Sequence, residues 1–245
     1  MYLPKLAMTG AAAIVYLHGG GWVMCDLDSH DAICRRLSLR TGAVVVSVHY
    51  RRAPESPFPA ALDDAYAALR WLHARADQHG IDSDRIAIAG DSSGGNLAAA
   101  TAILARDRGG PTPRCQVLLY PVTDCRLDSP SYQRFARAGG FLTLPKMTWY
   151  WEQYRPTGPR DHPYCAPLRA QLVGLPPTLL VIAECDPLNY EGHAYARKLE
   201  AAGVAVTARE YRSSFHAFFG LADTFAVARE AEDDVVSWLS AQLAG

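Results

Sequence analysis

The 245-residue sequence has few charges, no long apolar run and no block of like charges, and each of these absences excludes a class of protein. Charged residues make up 20% of the chain and the formal net charge is −1, without five consecutive Lys or Arg, so nothing favours a nucleic-acid partner. No apolar run approaches the ~20 residues that cross a bilayer, which predicts no membrane span. A small neutral or apolar molecule is therefore the expected ligand.

The six cysteines lack the spacing of a disulfide or zinc framework. No Cys-x-x-Cys pair is present, and no histidines follow at zinc-finger intervals. We therefore expect free thiols in a reducing, cytoplasmic compartment, and no metal site. The cysteines are Cys25, Cys34, Cys115, Cys125, Cys165 and Cys185.

Short β-branched runs alternate with helix-period segments along most of the chain. This alternation predicts an α/β fold, with a mostly parallel sheet and helices on both faces, in a single domain of residues 1–245. One predicted helix covers Ala60–His79 and ends at Gly80, and the last runs from about Phe225 to Leu243. The predicted strands are Ala11–Leu17, Ala43–His49, Arg85–Ala89, Gln116–Tyr120, Thr178–Ala183 and Val204–Tyr211.

Residues 125–175 break this alternation. The segment has no convincing strand and concentrates aromatic side chains among Pro and Gly. We expect a cap-like insertion that leaves the sheet and covers a ligand site. Any one aromatic can instead pack the insertion onto the core, and some should do both. The aromatics are Phe135, Phe141, Trp149, Tyr150, Trp151 and Tyr154.

Two glycine motifs follow predicted strands. The run from Gly90 through Ser92 to Gly94 precedes an Ala/Leu-rich helical stretch, which is the strand-turn-helix setting that lifts a serine onto a sharp, exposed elbow. The run His18-Gly19-Gly20-Gly21 has flexible backbone that can aim N–H groups at a developing oxyanion. Glycine turns at the strand ends of any doubly wound fold are the alternative. Together the motifs predict a nucleophile at Ser92.

An acid and a base for Ser92 should follow later strands, because function gathers at the carboxyl ends of parallel strands. Asp186 lies three residues past one predicted strand, and His216 lies five past the next. The order serine, aspartate, histidine is typical of α/β-hydrolases and differs from the order in trypsin-like and subtilisin-like proteases. Glu184 and Asp124 also follow strands and remain alternatives to Asp186.

The sequence from about Ile14 to the C-terminus resembles the hormone-sensitive-lipase-like esterases of the α/β-hydrolase superfamily. That resemblance implies the α/β-hydrolase fold, with the cap-like insertion placed after the third strand following the nucleophile region. The motifs that carry it are His18-Gly19-Gly20-Gly21, Tyr50-Arg51-Arg52-Ala53-Pro54-Glu55, Gly90-Asp91-Ser92-Ser93-Gly94-Gly95, Asp186-Pro187-Leu188 and His216.

The resemblance also implies roles for individual residues. Ser92 would be the nucleophile, His216 the general base and Asp186 its orienting acid. Backbone N–H groups would form the oxyanion hole, at Gly19, Gly20, Gly21 and Ser93. The implied activity is a carboxylesterase for short or medium acyl esters that needs no cofactor, and the last predicted strand and helix are candidate elements of a homodimer.

The chain departs from the family's pattern at single positions and at its start. Arg52 stands where the family usually has leucine, Ser93 where it has alanine, and Asn189-Tyr190 where it has Arg-Asp. Only 17 residues precede His18, whereas family members generally carry an N-terminal helical cap and two leading strands.

This difference at the start predicts a more open active-site mouth with weaker exclusion of water. It also predicts that the strand 43–49 lies beyond the strand 11–17 as an exposed edge, which should dimerise, be covered by residues 1–10, or aggregate.

Two other functions compete with the esterase. A non-catalytic small-ligand receptor could use the same fold, but receptors in this family have lost the histidine, whereas His216 is present. A shortened, poorly active esterase fragment is the other alternative.

Overall fold

The structure, a computed structural model, describes residues 1–4, 9–137 and 140–244. Within them, six strands form one parallel sheet in the order β2-β1-β3-β4-β5-β6. This arrangement confirms the predicted α/β class. The strands are β1 (Ala11–Leu17), β2 (Val44–Val48), β3 (Ile81–Asp91), β4 (Cys115–Leu119), β5 (Thr178–Cys185) and β6 (Val206–Phe215).

Helices cover both faces of the sheet, as the sequence predicts. The side chains of Val15 and Leu17 on β1 join a core with α2, α3, α6 and the insertion, whereas Ile14 and Tyr16 join a second core with α1 and α7. This division follows from the alternation of side chains along a strand. The helices are α1 (Asp31–Thr41), α2 (Ala60–Ala74), α3 (Ser93–Asp107), α4 (Pro130–Phe135), α5 (Leu144–Tyr154), α6 (Asn189–Ala201) and α7 (Ala226–Gln242).

The predicted helix 60–79 is shorter than expected. Helix α2 ends at Ala74, and a separate 3₁₀ turn follows at Asp77–His79. Gly80 adopts φ 65° and its N–H donates to the carbonyl of Asp77, so it ends this turn and not α2. Gly80 is therefore a cap, but it caps the 3₁₀ turn and not the predicted helix.

The insertion lies between β4 and β5 and contains α4, α5 and a 3₁₀ turn at Pro167–Arg169. It therefore follows the first strand after Ser92 and not the third, because the chain leaves the sheet directly after β4. Ser129 and Thr143 cap α4 and α5, each accepting a bond from a first-turn N–H, and a proline occupies the first turn of both helices. The predicted absence of a strand from 125 to 175 is confirmed for the described residues.

Strand β2 lies at the edge of the sheet beyond β1, as predicted. Tyr2 forms an antiparallel bridge to Val45, with N–H to carbonyl distances of 2.8 and 3.0 Å. Part of this edge is thus paired by the N-terminal segment, while residues 5–8 of the predicted cover lie outside the described residues. No helix in the described part of the chain is both long and apolar enough to cross a bilayer.

Candidate active site

Ser92 occupies a sharp turn between β3 and α3. Its backbone adopts φ 54° and ψ −118°, a conformation that side chains rarely take, and its N–H donates to the carbonyl of Leu119 at 2.8 Å. A Cβ on Gly90 would overlap the carbonyl of Gly94, and a Cβ on Gly94 would overlap that of Leu17. Both glycines are therefore required by close backbone contact, and the turn has the geometry of the nucleophile elbow that the sequence predicts.

The three side chains of the predicted triad lie in hydrogen-bond contact. The Oγ of Ser92 is 2.9 Å from Nε2 of His216, and Nδ1 of His216 is 2.7 Å from Oδ2 of Asp186. The other oxygen of Asp186 accepts from the N–H of Leu188 at 2.9 Å. All three triad side chains are buried, so the geometry needed for proton transfer from the serine is present.

The two alternative acids are engaged elsewhere. Asp124 forms a two-point ion pair with Arg169, with a shortest distance of 2.7 Å. Glu184 accepts from the N–H of Ser213 at 2.6 Å. Among the described residues, Asp186 is the carboxylate in contact with the His216 ring. These contacts favour Asp186 over the two alternatives that sequence order left open.

Successive peptides of the glycine loop, residues 18–21, are held by their carbonyl groups. The Nδ1–H of His18 donates to the Gly19 carbonyl at 2.7 Å, and the Gly20 carbonyl accepts from Met24 N–H at 2.8 Å. In a trans peptide the N–H points away from the carbonyl. These bonds therefore leave the N–H groups of Gly20 and Gly21 on the opposite side, and both glycines line the cavity that contains Ser92.

Gly19 does not fit the predicted oxyanion hole. Its N–H donates to Oδ1 of Asp91 at 3.0 Å, so this donor is already used inside the protein. Gly20, Gly21 and Ser93 differ from it, because no hydrogen bond between described residues uses their N–H groups. Ser93 is also the first residue of α3, where the helix dipole favours negative charge.

The side chains of His18 and Tyr50 are buried behind the glycine loop and contact each other. Burial lowers the pKa of His18 to about 4, and its ring stacks on Tyr50 at 4.2 Å. The Tyr50 hydroxyl donates to the His18 carbonyl at 2.7 Å. Sequence reasoning missed this support, although Tyr50 stands in a motif it had singled out. No group of three or more His, Cys, Asp or Glu within the described ranges is placed to hold a metal ion.

The cavity at Ser92 is small and mainly apolar. Its volume is about 190 Å³, below the range of typical drug-sized ligand sites. Tyr150 and Phe141 from the insertion line it, whereas Trp151 and Tyr154 are buried in the core and Trp149 is exposed. The aromatics of the insertion therefore divide between the site and the core, as expected.

The departures from the family's pattern leave the contacts among Ser92, His216 and Asp186 intact. The guanidinium of Arg52 donates to the carbonyl of Cys25, just after the glycine loop. The side-chain amide of Asn189 donates to the carbonyl of Ala183 at 3.0 Å and to Glu210 at 3.0 Å, which ties the start of α6 to β5 and β6. Tyr190 is exposed, and nothing in the structure explains that substitution.

Comparisons with known proteins identify the family of this chain. The family model described as alpha/beta hydrolase fold matches residues 14–220. The chain is 44% identical over 237 residues to an ethyl acetate hydrolase of Pseudomonas putida, covering 95% of this chain and 72% of that protein. It is 43% identical over 239 residues to the carboxylic ester hydrolase LipN of Mycobacterium tuberculosis, covering 94% of this chain and 63% of LipN.

Solved structures give the same result. An esterase of Pyrobaculum calidifontis superposes with a TM-score of 0.92 at 42% identity, covering 97% of this chain and 78% of that one. A thermostable carboxylesterase from a metagenomic library superposes with a TM-score of 0.93 at 42% identity, covering 97% of this chain and 82% of that one. The chain therefore belongs to the hormone-sensitive-lipase-like carboxylesterases of the α/β-hydrolase superfamily, and it is an enzyme of the ester-hydrolase class.

Proposed function

We propose that this protein hydrolyses short- to medium-chain acyl esters through an acyl-enzyme on Ser92, with His216 as general base and Asp186 as orienting acid. The observation that carries the proposal is the continuous contact from Ser92 Oγ through the His216 ring to the buried Asp186 carboxylate. Asp186 accepts a hydrogen bond from the Nδ1–H of His216, which leaves Nε2 unprotonated and facing the serine. The Asp186 carboxylate also stabilises the imidazolium that forms.

In the first half of the reaction, Nε2 of His216 takes the Ser92 proton as Oγ attacks the ester carbonyl. The N–H groups of Gly20, Gly21 and Ser93 hold the negative oxygen of the tetrahedral intermediate. His216 then gives the proton to the leaving alkoxide, which departs as an alcohol. In the second half, water replaces the serine hydroxyl, and the same steps release the acid and restore Ser92.

The size of the cavity supports a preference for short acyl groups. The cavity has a volume of about 190 Å³, and Tyr150, Leu142 and Met147 from the insertion line it. We propose that residues 125–175 act as the cap of one catalytic domain spanning the chain, because they supply the apolar wall facing Ser92.

The test is hydrolysis of a chromogenic p-nitrophenyl ester series from acetate to palmitate, with labelling by a fluorophosphonate. In the wild type we expect hydrolysis rates that peak at short acyl chains, and fluorophosphonate label on Ser92. In Ser92→Ala we expect turnover many thousandfold slower than in the wild type. Ser240→Ala, an exposed serine on α7, is the matched control and should keep full activity and labelling.

Two outcomes would contradict the proposal. A folded wild-type protein that neither turns over any ester nor reacts with the fluorophosphonate would favour the non-catalytic receptor. Turnover that survives in Ser92→Ala would place the nucleophile elsewhere.

A further inference from the structure

The proposed mechanism does not use the carboxylate of Asp91, although this residue directly precedes Ser92. Asp91 is buried and is surrounded by donors: the Tyr16 hydroxyl at 2.9 Å, the Gly19 N–H at 3.0 Å and Nε2 of His30 at 3.2 Å. A Cβ on Gly19 would overlap the Asp91 carboxylate, so this close contact also explains why position 19 is glycine. The three polar groups therefore all point at the Asp91 carboxylate.

Asp91 and His30 are in direct contact inside the protein, and each shifts the pKa of the other toward its charged form. Burial by itself raises the pKa of Asp91, but His30, Tyr16 and His18 outweigh it and hold the pKa below its usual value. Burial likewise lowers the pKa of His30, but the charge of Asp91 outweighs it and the pKa is raised. Ser29 Oγ lies 3.0 Å from Nδ1 of His30, so both ring nitrogens have partners. A buried, hydrogen-bonded pair of this kind has a defined geometry, because neither polar partner can leave it without a desolvation cost.

The Asp91–His30 pair lies between the two segments that carry the proposed oxyanion-hole donors. One donor, the Ser93 N–H, is carried by the same turn as Asp91. The other two, on Gly20 and Gly21, belong to the glycine loop, which lies about 70 residues earlier in the sequence. The bond from Gly19 N–H to Asp91 joins the loop to the turn directly, with a sequence separation of 72. A shift of this bond would therefore move two donors relative to Ser92.

We infer that Asp91 and His30 are positioning residues that hold the glycine loop in register with Ser92 for the transition state. This inference rests on the proposed function, since it assigns a purpose only if Gly20, Gly21 and Ser93 receive an oxyanion. The pair does not contact the reacting atoms and acts through the Gly19 peptide. It should therefore affect groups that bind the oxyanion more than groups that bind the ground-state ester.

The test compares kcat, KM and the affinity of phenylboronic acid, which adds to the serine and mimics the tetrahedral intermediate, in wild type, Asp91→Ala, Asp91→Asn and His30→Gln. We expect kcat to fall about 10- to 100-fold in Asp91→Ala, with boronate affinity falling in proportion and KM for p-nitrophenyl acetate within about threefold. Asp91→Asn and His30→Gln should lie between, because each keeps a polar partner but removes a charge.

Asp124→Asn is the matched control. Asp124 is also a buried, ion-paired carboxylate at this end of the sheet, but its partner is Arg169 and it does not contact the glycine loop. This variant should lower the melting temperature without changing the ratio of boronate affinity to KM. If Asp91→Ala does not fold, Asp91→Asn and His30→Gln carry the comparison.

Unchanged kcat and boronate affinity in folded Asp91 and His30 variants would overturn the inference. A lowered melting temperature with unchanged boronate affinity would also overturn it, because the pair would then act on stability alone. Failure of the proposed function is a separate result, since it would appear in wild type as no turnover and no fluorophosphonate label on Ser92.

Discussion

The ring of Tyr150 occupies the space that a side chain on Gly21 would need. Gly21 adopts φ 61°, and a Cβ built there would overlap the Tyr150 ring. One residue belongs to the glycine loop at the end of β1 and the other to α5 of the insertion. The insertion and the loop therefore form adjoining walls of the same cavity, and changes in one should alter what the other can bind.

Replacing Tyr150 by alanine should shift the preferred ester toward longer acyl chains. The change removes a ring that lines a cavity of about 190 Å³, so the cavity becomes larger without loss of a triad group. Rates for p-nitrophenyl acetate through decanoate would be compared in wild type and Tyr150→Ala. An unchanged chain-length optimum in a folded variant would contradict the assignment of this wall to the acyl group.

Adding a methyl group at Gly21 should abolish most activity. Gly21→Ala creates both backbone strain and overlap with Tyr150, and it moves the N–H proposed to bind the oxyanion. Gly42→Ala is the control, because Gly42 has φ 70° but open space around it. Both should lose about 1 kcal/mol or more in the free energy of unfolding, while kcat should fall at least about tenfold only for Gly21→Ala. Equal kcat in the two variants would argue against this placement of the hole.

Trp22 should contribute strongly to the free energy of unfolding. It is fully buried and its ring stacks on Tyr154 of α5 at 4.2 Å with an interplanar angle of 3°. Trp22→Ala leaves a large cavity and should cost about 3–5 kcal/mol by urea denaturation. Trp149→Ala, at an exposed position on the same helix as Tyr154, should change the free energy by less than about 0.5 kcal/mol. Similar losses in both would show that the stack is not a core contact.

His18 should make the protein less stable in acid. Its pKa is about 4 in the folded state, mainly because of burial, against an ordinary value of 6.5. Between these values the unfolded chain binds a proton that the folded protein does not, so the stabilisation present above pH 6.5 is lost as the pH falls to about 4. The difference corresponds to ~3 kcal/mol.

The measurement is the free energy of unfolding at pH 7 and pH 4.5 in wild type and His18→Asn. The variant should be less stable at pH 7 but should lose less on acidification, since its side chain does not titrate. An identical loss in both proteins would show that His18 does not contribute to the acid sensitivity.

Much of the site was predictable because its features are encoded locally. A positive φ at Ser92 and tight backbone contacts at Gly90 and Gly94 require a particular turn, and that requirement leaves a readable motif. Strand ends are similarly readable from apolar runs, so Asp186 and His216 could be placed after β5 and β6. The predictions for the place of the insertion and for the end of α2 were wrong. Both features depend on where the chain leaves regular structure, which the apolar pattern marks only weakly.

The sequence by itself determined the α/β class, the sharp turn at Ser92 and the glycine loop, because each depends on neighbouring residues. Tertiary structure alone decided that Asp186 and not Asp124 meets His216, and that the Gly19 N–H serves Asp91 instead of the cavity. It also brought His30 to Asp91, 61 residues apart. The physical reason is that hydrogen bonds between distant segments depend on how the sheet and helices pack, and local sequence does not encode that distance.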